Sequence, residues 1–206
     1  MSDVRYITLQ EAEQRVRASR DTATQMQMLQ DLEEYAEFVE DGSSKILLYE
    51  GDTMLPYLAV KDDIVLVHGN LTVTGILEDC LEVNLSLLLV LGNVTAQHLF
   101  TFSQICITGD LIVENTIIAD SLHDCSLHVE GDVKAHVILE DGHWFNVKGK
   151  VTADDIYASH SAKPRGLLEP NLTDDVLVDE VKVADRLDLS KAMQYLMNNN
   201  KAVFRK

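Results

Sequence analysis

Basic residues are scarce in this chain. Its 206 residues include 17 Lys and Arg against 34 Asp and Glu, which gives a formal net charge of −17. Residues 46–157 alone hold 17 acids and 4 bases. Because direct nucleic-acid binding depends on Lys and Arg neutralising phosphates, this composition argues against a nucleic-acid partner and favours a basic protein partner.

Cysteines and long apolar runs are also few. The three cysteines, Cys80, Cys106 and Cys125, include no C-x-x-C pair, so we expect buried free thiols rather than a disulfide framework. The longest apolar run, around residues 85–91, is far shorter than the roughly 18 residues that a membrane-spanning helix needs. With no apolar or Arg-rich leader at the start, the sequence predicts a cytoplasmic protein without a membrane partner.

A short phrase, apolar-x-apolar-x-Gly-Asn/Asp, occurs six times. Its glycines lie 18, 23, 17, 22 and 18 residues apart, and Lys150 is the one departure at the position after glycine. The six copies are LLYEGD (47–52), VLVHGN (65–70), LLVLGN (88–93), ICITGD (105–110), LHVEGD (127–132) and FNVKGK (145–150). This regularity indicates a stacked repeat rather than separate hairpins.

The repeat predicts a mainly β fold, a right-handed parallel β-helix (solenoid) of about six coils. After each glycine the apolar-polar alternation resumes, and a further apolar pair such as Leu99-Phe100 or Ile117-Ile118 supplies a third short strand. The glycine is explained by a corner, which Asn or Asp can cap. A propeller needs more double units, a leucine-rich repeat has another consensus, and a left-handed hexapeptide helix keeps a six-residue period.

The coil lengths alternate, and the longer coils carry about five extra residues. These additions are expected at one corner, two coils apart, where they would form an exposed acidic ridge. The ridge would consist of Glu78, Asp79, Glu82, Asp120, His123 and Asp124.

The flanks of the repeat predict caps. Thr8-Leu9-Gln10-Glu11 fits a capping box, and a helical run over residues 21–41 places Met28, Leu32, Tyr35 and Val39 on one stripe. Ser190 is predicted to be the N-cap of a short helix over 191–197. The predicted organisation is therefore an N-terminal helical cap (1–44), a solenoid (45–157), and a C-terminal loop, helix and strand that close it (158–206).

No residue pattern indicates catalysis, a cofactor or a metal. His123, His128, His136 and His143 occupy four different places around the coil, so no three of them stack as ligands. Cys106 and Cys125 have no evident His-Asp arrangement, and no phosphate-binding glycine motif is present. The turn Glu140-Asp141-Gly142-His143-Trp144 has the composition of a protein-interaction hot spot. The alternative is that Trp144 folds over the edge of the coil and has only a packing role.

The corner phrases VLGN, ITGD and VEGDVKA resemble those of bacterial polymer-forming cytoskeletal proteins of the bactofilin type. The likeness covers about residues 46–157, and the ending LDLSKAMQYLMNNNKAVFR is similar to the closing elements of that group. The resemblance implies a cytoplasmic solenoid that assembles into filaments, whereas the uneven coils and capped ends here argue against end-to-end assembly.

Two functions are therefore expected from the sequence. The first is a non-enzymatic protein-binding module, most concretely an acidic immunity protein that neutralises a basic toxin, with the ridge and residues Glu140, Asp141, His143 and Trp144 as its contact surface. The second is a bactofilin-like polymer or scaffold, with a possible homo-oligomer. An enzyme such as a solenoid acyltransferase is disfavoured because no catalytic histidine is stacked.

Overall fold

The solenoid is built from six stacked coils. The computed structural model describes residues 3–19, 22–37, 46–61, 64–79, 86–120, 125–158, 177–183 and 186–199. We number the coils 1 to 6, over residues 46–60, 64–79, 87–101, 104–120, 126–141 and 144–158. The prediction of a mainly β solenoid of about six coils is confirmed, and its right-handed winding stays a prediction.

One wall of the solenoid is a seven-stranded sheet in the order β1-β2-β5-β7-β9-β11-β14. Its first strand pairs antiparallel with coil 1, and the other six, one from each coil, are parallel. The strands are β1 (Asp3–Ile7), β2 (Ile46–Glu50), β5 (Ile64–His68), β7 (Leu87–Val90), β9 (Gln104–Ile107), β11 (Ser126–Val129) and β14 (Trp144–Val147). In this register the six copies of the repeated phrase lie directly above one another.

The opposite wall is a nine-stranded sheet. In coils 2, 3 and 4 the predicted second and third strands are joined in one long strand, and in coils 2 and 4 the pairing register shifts part-way along it. The strands are β3 (Thr53–Leu55), β4 (Leu58–Val60), β6 (Leu71–Asp79), β8 (Val94–Thr101), β10 (Leu111–Asp120), β12 (Val133–Lys134), β13 (Val137–Asp141), β15 (Val151–Thr152) and β16 (Asp155–Ala158). The prediction of three separate strands therefore holds only for coils 1, 5 and 6.

The corner glycines are required by close approach between coils. A Cβ on Gly131 would lie 2.8 Å from the carbonyl oxygen of Gly109, and one on Gly149 would lie 2.4 Å from that of Gly131. Only Gly51 and Gly69 of this column have φ in the left-handed range. For the later corners, the missing side chain rather than the backbone angle is what glycine provides.

The residue after each corner glycine forms a hydrogen-bonded ladder between coils. The backbone N–H of each such residue donates to the side-chain Oδ1 of its counterpart in the preceding coil, at 2.7 to 2.9 Å. The ladder runs through Asp52, Asn70, Asn93, Asp110, Asp132 and Lys150. Lys150, which has no side-chain acceptor, ends it at coil 6.

The N-terminal helices α1 (Leu9–Ala18) and α2 (Ala23–Glu37) cover the outward side of the seven-stranded sheet. Thr8 is the N-cap of α1, as predicted, and its hydroxyl accepts from the Glu11 N–H at 3.2 Å. Met28 and Leu32 of α2 are buried against outward residues of coils 1 to 4, including Leu66 and Leu89. The helices thus cover a side of the solenoid, while β1 covers an edge of coil 1.

The C-terminal elements pack on the nine-stranded sheet. Helix α3 (Leu189–Asn199) buries Ala192, Met193 and Leu196 in a cluster with Phe100, Ile118, Leu139 and Tyr157. A 3₁₀ turn (Asp179–Val181) and the short strands β17 (Lys182–Val183) and β18 (Arg186–Leu187) precede it. The predicted N-cap is wrong by two positions: Asp188 caps the helix and accepts from the Lys191 N–H at 2.8 Å, because its carboxylate lies ahead of the first helical turn.

The ladder yields a prediction that compares one corner position in two coils. Asn93→Ala removes the acceptor for the Asp110 N–H, and we expect the free energy of unfolding to fall by about 1 to 2 kcal/mol. Lys150→Ala removes no acceptor, so its effect should stay within about 0.5 kcal/mol. Urea unfolding followed by circular dichroism measures both, and equal losses in the two variants would contradict the ladder.

Candidate functional site

The predicted acidic ridge is corrected in its exposure. Its two halves do lie at one corner two coils apart, where β6 ends at Asp79 and β10 ends at Asp120. However, Glu78 and Asp79 are only 3% and 1% exposed, and Asp120 is half-buried. Glu82, His123 and Asp124 lie outside the described residues. The described part of this corner is therefore not an exposed acidic surface.

Asp79 is buried because it serves the tight corner after coil 3. The Thr101 hydroxyl donates to its Oδ2 at 2.6 Å, and the Ser103 N–H donates to Oδ1 at 3.2 Å, with the Phe102 N–H on the same oxygen. Burial raises the pKa of Asp79 to about 7, even though these three hydrogen bonds act to lower it. Sequence reasoning assigned this acid to the surface because polarity alone does not reveal backbone N–H groups that need an acceptor.

Glu78 has a similar structural role beside it. The Tyr57 hydroxyl donates to Glu78 Oε1 across coils 1 and 2. Burial, together with this hydrogen bond, raises the pKa of Tyr57 to about 12. Neither acid of the pair is placed to contact a partner protein.

The predicted interaction turn, residues 140–144, is corrected in the same way. Glu140 and His143 are fully buried, Asp141 is half-buried, and Gly142, with φ of 78°, forms the tight corner between coils 5 and 6. The turn does not protrude, because coil 5 carries no insertion there. Trp144, on the outer side of β14, is 39% exposed and is the one member placed to make an external contact.

His143 is held neutral inside the corner. Neither of its ring nitrogens hydrogen-bonds to a described residue, and its ring contacts the Phe145 ring edge-on with centroids 6.4 Å apart. Burial lowers the pKa of His143 to about 3, with a smaller effect from nearby His128. Two further histidines of the repeat, His128 and His136, are half-buried and exposed respectively.

A polar seam under α2 was missed by sequence reasoning. The Asp31 carboxylate is buried and accepts from Gln104 Nε2 at 3.0 Å, Cys106 Sγ at 3.2 Å and Gln27 Nε2 at 2.8 Å. Burial, reinforced by Asp31, raises the pKa of the Cys106 thiol. The only signal for this seam was an acid inside the apolar stripe that Met28 and Leu32 define.

Cys106 and Cys125 are free and buried, as predicted. Cys125 belongs to the same region, since Tyr35 of α2 has its pKa raised by burial and then by the Cys125 group beside it. The Cys106 thiol, whose pKa is raised, is therefore a poor nucleophile. Cys80 lies outside the described residues.

A charged cleft lies between α1 and the corner of coils 1 and 2. Its volume is about 530 Å³, and Thr8, Gln10, Glu11, Gln14, Arg15, Ala18 and His68 line it. Arg15 contacts Glu50 at 2.7 Å and Glu11 at 3.1 Å, and His68 Nδ1 lies 2.7 Å from Glu50. Hydrogen bonds lower the pKa of both acids: Arg5 acts chiefly on Glu11, and His68 chiefly on Glu50. These contacts tie α1 to the first two coils.

Within the described residues, no group of three or more His, Cys, Asp and Glu side chains is arranged to hold a metal ion. The described helices also include none with the length and hydropathy of a membrane span.

Comparison of the chain with known protein families, with curated proteins and with solved structures finds no match. The β-solenoid arrangement that the bactofilin resemblance implied is present in the structure, while membership of that family stays a prediction.

The buried corner groups predict opposite pH dependences. Asp79 has a folded pKa raised from 3.8 to about 7. Its contribution to the free energy of unfolding is therefore fully present below pH 3.8 and is lost as the pH rises towards 7. His143 has a folded pKa lowered from 6.5 to about 3, so its stability contribution is present above 6.5 and is lost as pH falls. In the native protein the two effects partly offset each other.

Single substitutions should separate them. Between pH 4 and 6.5, Asp79→Asn should make the free energy of unfolding rise more steeply with pH than it does in the native protein, and His143→Leu should make it rise less or fall. Urea titrations at several pH values measure both slopes, and Glu114→Gln, an exposed site, is the control. Parallel slopes in all four proteins would contradict the assignments.

Proposed function

We propose that this protein is a non-enzymatic protein-binding module that captures a basic partner. The observation that carries the proposal is α2, which has the acids Asp31, Glu33, Glu34 and Glu37 and no Lys or Arg. Glu33, Glu34 and Glu37 are exposed near its C-terminal end. Negative charge near a helix C-terminus costs about 0.3 to 1 kcal/mol, so this arrangement has no stabilising role in the helix itself.

The net charge supports the same proposal. At −17, the chain attracts cationic proteins over a longer range than any single contact, which accelerates association. Immunity towards a basic toxin is its most concrete form, since an acidic protein can occlude the basic surface of such a toxin. A cytoplasmic location accords with this role and is part of the proposal.

A binding experiment with the product of the neighbouring reading frame tests this function. We expect the two purified proteins to form a complex whose affinity falls as salt is raised, because exposed charges contribute through screened interactions. Isothermal titration calorimetry at low and high salt measures it. If the neighbouring product is cationic and forms no complex, or forms one that salt does not weaken, the proposal of an acidic capture module is contradicted.

A second candidate, a bactofilin-like self-assembling scaffold, is favoured by the free end of coil 1. Among the described strands, β1 pairs only with β2, and β3 and β4 pair only with β6. Val4, Tyr6, Met54 and Tyr57 are exposed on or beside these strands, and at the opposite end β14, β15 and β16 likewise pair with one described strand each. Unpaired edges with exposed apolar side chains are templates for association.

Sedimentation velocity over a range of concentrations tests the scaffold. If coil 1 mediates assembly, the native protein should grow with concentration, and Val4→Lys/Tyr6→Lys should remain monomeric because charged residues block edge pairing. Met26→Lys, an equally exposed apolar residue on α2, should behave as the native protein. A native monomer at every concentration would eliminate this candidate.

A further inference from the structure

The helical cover over the seven-stranded sheet ends before the sheet does. Two columns of side chains point outward from this sheet, one residue from each coil. The first column is Ile46, Ile64, Leu87, Gln104, Ser126 and Trp144; the second is Leu48, Leu66, Leu89, Cys106, His128 and Asn146. The members from coils 1 to 4 are buried, and those from coils 5 and 6 are half-buried or exposed. We call Ser126, His128, Trp144 and Asn146 the Trp144 face.

The position of α2 places its acids beside this face. The Asp31 carboxylate accepts a hydrogen bond from the side-chain amide of Gln104 in coil 4. Trp144 lies two coils beyond Gln104 in the first column. Two strand spacings are about 10 Å, and a helix with its side chains has a radius of about 5 to 6 Å. Tyr35 of α2 also lies beside Cys125, whose carbonyl oxygen accepts from the Trp144 backbone N–H at 3.1 Å. The C-terminal part of α2 therefore lies close to Trp144.

Other contacts of α2 indicate which of its acids lie nearest to Trp144. Thr24 N–H donates to Glu130 of coil 5 at 3.3 Å, and Asp31, seven residues later, faces coil 4. Glu34 follows Asp31 by one helical turn and is exposed. Glu34, in the C-terminal part of α2, and Trp144 are thus exposed side chains on neighbouring elements.

The charges around the Trp144 face match a cationic occupant. Burial lowers the pKa of His128, which leaves it neutral near pH 7, and its ring Nε2 lies 3.4 Å from the Asn146 side-chain amide. Lys148 is exposed, and its charge contributes to lowering the pKa of His128, but it lies four residues from Trp144, about 13 Å away, which exceeds the screening length of about 8 Å at physiological salt. Glu33 and Glu37 add negative charge on α2.

We propose that the Trp144 face, together with Glu34 of α2, is where the protein binds an arginine-bearing segment of its partner. A guanidinium stacks on an indole and donates in the same plane to a carboxylate, whereas a lysine ammonium provides a point charge without the stacking surface. The inference rests on the proposed function, for which it names the surface and the chemistry recognised.

The lone tryptophan makes the test specific to this surface. The chain has one Trp, so its emission reports the Trp144 face alone. Titration of the full-length protein with hexa-arginine should produce a saturable change in Trp144 emission, and hexa-lysine should bind several-fold more weakly. Saturable binding seen by calorimetry without a change in emission would overturn the proposal.

Matched charge variants separate local recognition from long-range attraction. Glu33→Gln/Glu34→Gln/Glu37→Gln should weaken hexa-arginine binding about tenfold. The control Asp3→Asn/Glu114→Gln/Asp154→Asn removes the same charge at exposed sites away from the face and should weaken it less than about twofold. Equal weakening in the two triple variants would show diffuse attraction and overturn the proposal.

Substitution of the indole itself completes the test. By calorimetry, Trp144→Ala should weaken binding by roughly 10- to 30-fold and Trp144→Phe by less, with circular dichroism to confirm folding. If the product of the neighbouring reading frame forms its salt-sensitive complex and Trp144 emission is unchanged, the Trp144 face is not the binding surface, while the proposed function stands. If no cationic protein binds, the proposed function fails whatever hexa-arginine does.

Discussion

The close stacking of backbone on backbone at one corner is the constraint on which the whole structure depends. From coil 2 onward, each coil turns at a glycine whose neighbours leave no room for a side chain, so consecutive corners approach within contact distance. That approach brings the following residue within reach of the preceding coil, where Asn or Asp accepts its N–H. The inward apolar residues then align in columns, from Leu47 to Phe145, without any further adjustment.

The fold was largely readable from the sequence because this constraint has a sequence signature. A glycine followed by Asn or Asp after an alternating strand, recurring near 20 residues, specifies the corner, the register and the number of coils together. The flanking helices were readable only in part. The apolar period of α2 predicts that Met28 and Leu32 are buried, but not that they cover the side of coils 1 to 4 rather than an end.

The exposure of the residues predicted to form a contact surface was the poorest prediction, for a physical reason. Asp79, Glu140 and His143 are polar residues near loops, which normally indicates exposure, yet all three are buried at the corners that follow β6 and β13. Backbone N–H groups at a tight turn need acceptors, and Asp79 supplies them to Phe102 and Ser103. The turn pattern singled out Trp144, which is exposed, whereas no pattern singled out Asp31 or Glu34, because their relevance to the proposed binding surface depends on where α2 lies in space.

The acceptor ladder also gives the solenoid a direction and a natural length. Acceptors point from each coil to the next until Lys150, so a coil added beyond that residue would begin without a partner for its corner amide. A two-coil unit inserted among the earlier coils would keep both the ladder and the alternation of long and short coils. Lengthening of such a chain by gene duplication is therefore compatible with its interior and not with its last coil.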